Sequence, residues 1–166
     1  MKKILLLVSF LCTLLFAGTV MASYPDYLGG NRNLLLCGGH MGIGWYVDKT
    51  SLVVQEYNPP VYQIAVNVLS VPNADRGNTS FDTHTVYWRY HWDTRKMYRL
   101  DENGTWQYVP PVGSMAQTGH EFSGEMAFYL AYHMKFYGGR KFWDNYHGSW
   151  ESPNFSDDLY RIVDNA

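Results

Sequence analysis

The chain has 166 residues, a formal net charge of −2, 17% aromatic residues and two cysteines. So small an acidic excess, with lysines and arginines in no group larger than an adjacent pair such as Arg140 and Lys141, leaves no electrostatic footprint for nucleic acid or an anionic membrane.

Lys2 and Lys3 precede an apolar run, Ile4 to Phe16, and Val20 and Ala22 take the small-residue positions before Ser23. That order predicts a secretory leader over residues 1–22, bacterial in style. The run falls short of the ~20 residues a spanning helix needs. A secreted or cell-envelope protein without an integral membrane segment after cleavage is therefore expected. Residues 23–166 suit one domain, since domains cluster at roughly 100–150 residues. Cleavage removes Cys12 and leaves Cys37 without an intramolecular partner. Cys37 can then be a buried small apolar residue, the link of a homodimer, or a reactive thiol.

Residues 23–33 are rich in turn formers and read as an irregular arm. Trp45–Lys49 and Ser51–Tyr57 are two short strand-like runs, the second stopped by Pro59 and Pro60. In Val61–Val71, Tyr62, Ile64, Val66 and Val68 share a face at period two. After a polar loop, Thr83–Trp92 places His84, Val86, Trp88, Tyr90 and Trp92 on one side. Met97–Leu100 and Thr105–Val109 flank Asn103-Gly104, a signal for a two-residue hairpin turn. A helix is expected to follow, with Ser123 as N-cap, Glu125 serving the helix dipole and Gly138-Gly139 ending it. Met126, Ala127, Leu130, Ala131 and Met134 would form its apolar stripe. A last short helix is expected to begin at Ser156 and run through Ile162. Strands first and helices after predict an α+β fold: an antiparallel β-sheet with a C-terminal α-helix packed on one face.

The stretch "LLLCGGHMGIGWYVD" invites chemical readings. A phosphate loop opens a helix and ends in Lys-Ser/Thr, whereas these glycines lead into a strand. Cys37 and His40 have a two-ligand spacing, but no second Cys/His pair completes a zinc set, so no metal and no cofactor are expected. A glycine-loosened bend between two strands is the simpler account. For a cysteine-dependent envelope hydrolase, Cys37 would be the nucleophile and His120 the base, with Asn67 or Asp82 to orient it.

The remaining signal is aromatic. "FWDNYHGSW" carries Trp143, Tyr146 and Trp150, and Trp88, Tyr90 and Trp92 add a strand face. Aromatic planes stack on sugars and anchor protein interfaces. Alternatively, Phe142 and Tyr146, four apart, would pack a second helix on the sheet.

The stretches "WYVDKTSL", "YQIAVNVLSV" and "VYWRYHWDTRKMYRL", with "GTWQYVPP" after them, together resemble the surface-adhesin protein E family of small exported bacterial proteins. The match covers roughly residues 45–111, including Asp93, Arg99 and Trp106, and its motifs are structural. The resemblance implies an antiparallel sheet with a C-terminal helix and binding of host or matrix proteins. This chain has Trp92 near where members often carry a cysteine, and no binding residue transfers by position. The expected function is a binding or adhesion module, non-enzymatic, that recognises protein or glycan through Trp143, Tyr146 and Trp150. A cysteine hydrolase and a dimeric structural partner are the alternatives.

Overall fold

The computed structural model describes residues 23–113, 122–155 and 157–166. The expected leader, Ser156 and His120 lie outside the described residues. Six antiparallel strands lie in sequence order, β1 (Leu34–His40), β2 (Ile43–Asn58), β3 (Val61–Val71), β4 (Asp82–His91), β5 (Lys96–Leu100) and β6 (Trp106–Val109). The sheet curls into a half-barrel. Helix α1 (Ser123–Tyr132) lies on its inner side, and α2 (Asp158–Asp164) packs against α1 and β1. A separate hairpin, β7 (Phe142–Asp144) with β8 (Ser149–Glu151), stands between the helices in sequence. The architecture is α+β, as the order of patterns implies.

Alternation in β3 and β4 builds the inner face. Tyr62 pairs with Tyr90, Ile64 with Trp88 and Val66 with Val86, and all six side chains are buried. His84, at the outer end of the same face, is exposed. Above this face, the Phe128 ring of α1 lies 4.7 Å from that of Tyr90 and stacks on Trp92 at 5.6 Å. The Tyr90 hydroxyl donates to the Gly124 carbonyl at 2.6 Å, which ties the first turn of α1 to the sheet.

Five local features differ from the pattern reading. Helix α1 already includes Ser123 and follows Phe122, and no side chain caps it, so Ser123 is not its N-cap. The two short runs after Trp45 are one strand, β2. Its register against β3 shifts between Asp48 and Val53, so the break at Lys49–Leu52 is an irregularity rather than a turn. Ser51 bridges it, donating to the Asp48 carbonyl and accepting from the Asn67 amide.

The tight two-residue turn lies elsewhere than Asn103-Gly104. Met41 and Gly42, with φ of 50° and 83°, join the paired residues His40 and Ile43. Two positive φ values are what such a turn demands. The β5–β6 loop is longer, because Leu100 pairs with Trp106. Asp101 shapes it by accepting the Asn103 and Thr105 amides at 3.0 and 2.8 Å.

Helix α1 stops at Tyr132, well before the two glycines, because His133 takes the left-handed cap conformation at φ 51°. Phe136 and Tyr137 then fold back, and their amides donate to Glu125 at 2.8 and 2.9 Å. Tyr160 adds its hydroxyl at 2.6 Å. Glu125 is in the first turn of α1, as expected, and is also a fully buried anchor for the returning chain. Desolvation raises its pKa, and the hydrogen bonds it accepts oppose the rise. Gly138 is required for close approach, since a Cβ there would sit 1.8 Å from the Tyr160 hydroxyl. Met134 lies beyond the helix and is exposed.

Finally, Phe142 and Tyr146 do not share a helix. The Asp144 carboxylate accepts the Tyr146 amide at 2.8 Å, and Gly148, with φ of 64°, donates its amide to the Asp144 carbonyl. An Asp followed by a left-handed Gly closes a hairpin, and Trp143 pairs with Trp150 across it.

Candidate functional site

Of the six tryptophans, Trp88 is fully buried, and Trp45, Trp92 and Trp106 are partly buried. Only Trp143 (49%) and Trp150 (63%) are exposed, with Tyr146 (76%) on the turn between them. The strand face Trp88, Tyr90 and Trp92 is therefore core, and the aromatic surface lies on the hairpin. Trp143 and Trp150 meet edge to face at 5.9 Å. That contact pre-sets their rings at little further entropic cost, because each has only two side-chain torsions.

Trp143 and Tyr146 also line a cleft of about 470 Å³, walled on its other side by Tyr108, Pro110 and Pro111. Its lining is mostly aromatic and aliphatic, with Asp144 and Asn145 as polar points. Clefts of several hundred Å³ with such linings are where small ligands and short segments of larger ones bind. Tyr108 links the cleft to the outer face of the sheet, where its ring lies 5.7 Å from Tyr98. Beside them Arg89 covers Trp106 at 4.3 Å. Sequence alternation places Tyr87 and Arg89 opposite Trp88 and Tyr90, but which face meets solvent depends on where α1 packs.

The turn of the hairpin gathers three ionisable groups. His147 Nδ1 lies 2.6 Å from Asp144 Oδ2 and 3.4 Å from Glu151 Oε1. The Asp144 hydrogen bond raises the His147 pKa, with Glu151 adding to the rise. Asp144 is held below the usual carboxylate range, chiefly by the Tyr146 amide. The spacing Asp-x-x-His-x-x-x-Glu was the available signal, but a helical reading of the segment hides the convergence.

Cys37 lies at a bulge, where the register against β2 shifts between Leu36 and Gly38. It is buried, its thiol donates to the Trp45 carbonyl at 3.2 Å, and desolvation pushes its pKa far up. A nucleophilic thiolate needs the opposite environment. His40, at the end of β1, is exposed. Asn67 receives the Thr85 hydroxyl, and Asp82 opens β4, two strands beyond β2. Neither Asn67 nor Asp82 is brought to Cys37.

Comparisons with family models, with curated proteins and with solved structures find no match to this chain. Among the described residues, no helix is long and apolar enough to cross a membrane.

Proposed function

We propose that the chain is an exported binding module that recognises a protein or glycan surface through Trp143, Tyr146 and Trp150. The observation that carries this reading is the exposure of all three rings on a hairpin beside an aromatic cleft. The core is filled by other aromatics, so these three are not needed to complete it. Exposed aromatics clustered at one place mark interaction sites more often than rings scattered singly. Tyr108, Pro110 and Pro111 extend the apolar surface a ligand would meet. Export rests on the basic and apolar leader, and adhesion to host or matrix proteins is the form suggested by the family resemblance.

The test pairs binding with stability. The purified protein is presented to immobilised glycans in one arm and to matrix proteins in the other. Binding in either arm that is lost in a Trp143→Ala, Tyr146→Ala, Trp150→Ala triple variant, with its melting temperature kept, supports the proposal. Retained binding, or a variant that melts many degrees lower, sinks it. The hydrolase reading requires rapid alkylation of Cys37 below pH 8. Burial of the thiol argues for labelling only on unfolding.

A further inference from the structure

The hairpin carries a second chemistry beside its aromatics. We propose that Asp144, His147 and Glu151 form a site for a divalent first-row transition-metal ion, with Zn²⁺ the best fit to the donor set. One imidazole nitrogen and two carboxylate oxygens lie within 4.8 Å of one another. Tetrahedral zinc, with bonds of about 2.0–2.2 Å, needs its donors about 3.3–3.5 Å apart. The His147–Glu151 edge, at 3.4 Å, already has that length. The His147–Asp144 edge, at 2.6 Å, is a hydrogen bond that must open by under about 1 Å. The imidazole is half exposed, and the remaining edge, Asp144 to Glu151, lies within 4.8 Å and must close by at most about 1.5 Å.

The three donors come from different parts of the hairpin, and each has a support of its own. Asp144 ends β7 with its side chain buried. Its Oδ1 is taken by the Tyr146 amide, which leaves Oδ2 toward the imidazole. Glu151 lies on β8, and the Ser149 hydroxyl donates to its Oε1 at 2.9 Å. His147 sits on the turn, its ring edge-on to Tyr146 at 4.8 Å. Pairing of Phe142 with Glu151 and of Asp144 with Ser149 fixes the distance between the two carboxylates' strands.

The imidazole is what separates this set from an ordinary acidic patch. Calcium takes six to eight oxygens, more than two carboxylates supply. One nitrogen and two oxygens, with a coordination position left to solvent, suit zinc and its neighbours. The ion would replace the proton shared between His147 and Asp144, so no residue has to leave the hairpin.

Calorimetric titration of Zn²⁺ into the purified protein at pH 7.5 tests the site. Saturable binding of one equivalent is expected, weakened at least tenfold by His147→Ala and, separately, by Glu151→Gln. Both side chains reach solvent, and unchanged melting temperatures confirm that each variant is folded. Ser149→Ala, which removes only the orienting hydroxyl, is expected to cost roughly tenfold, the lower end for an outer partner of a metal ligand. Absence of one-equivalent binding, or equal affinity in His147→Ala through other histidines, overturns the proposal.

Discussion

Two groups of aromatic residues occupy this molecule under opposite rules. In the first, Trp88, Tyr90, Phe128, Phe136 and Tyr137 are fully buried between α1 and the sheet, and the rings from Tyr90 through Phe128 and Phe136 to Tyr137 meet in turn at 4.7, 5.1 and 5.0 Å. In the second, Trp143, Tyr146 and Trp150 sit on a two-stranded hairpin with solvent over them. Residue type does not separate the groups. What separates them is whether another layer of the fold lies over the ring, and among the described residues none lies over the hairpin.

The sharpest way to break that contrast is to cut into the buried group. Trp88→Ala is expected to destabilise by about 3–5 kcal/mol, measured by urea unfolding, because the cavity adds to the lost transfer energy. A loss under about 1 kcal/mol would mean that α1 does not seal the sheet. Next comes the polar anchor of the same region. Glu125→Ala leaves the Phe136 and Tyr137 amides and the Tyr160 hydroxyl without an acceptor. A loss of at least about 3 kcal/mol is expected by the same measurement, the lower end of roughly 1–3 kcal/mol for each of the three buried groups left unpaired.

The hairpin should respond far less. Tyr146→Ala is expected to change stability by less than about 0.5 kcal/mol. Trp143→Ala or Trp150→Ala should cost at most about 1 kcal/mol, the worth of one edge-to-face pair. Larger losses would move these rings into the first group. The smallest effect concerns pH at Asp101. Hydrogen bonds from Thr105 and Gln107 lower its pKa in the folded chain. The stabilisation is therefore present above the ordinary carboxylate pKa and lost as pH falls through the lowered folded value. Comparison of melting temperatures between wild type and Asp101→Asn should show a gap that closes on acidification. A constant gap would refute this account of the β5–β6 turn.

The sequence carried much of the sheet, since the period-two runs in β3 and β4 name their own buried faces. It predicted a helix on one face of the sheet but could not tell which face, which is why Trp88 and Tyr90 read equally well as a binding strip. The helix end misled for a different reason. Gly138 is required by contact in this fold, pressed against the Tyr160 hydroxyl, a long-range constraint that mimics a local cap signal. The hairpin was hidden because Phe142 and Tyr146 happen to fall four apart, and the decisive Asp144-to-Tyr146 hydrogen bond is not a periodic feature. Cys37 remained open in sequence because burial alone decides its chemistry.

The length of β2 has a consequence of another kind. β1 pairs with it only as far as Leu34 and Asp48, so among the described residues no strand covers the outer edge from Val53 to Asn58. That edge carries the exposed apolar residues Val53, Val54 and Tyr57, the sort of border on which a second chain can add itself as a strand. The register shifts on either side of Val53 and Val54, with Glu56 beyond them, bend and charge it. An edge bent in this way is a poorer flat template for strand addition than a regular one, because the residues that fail to match β3 also break the row of groups a neighbour would pair with.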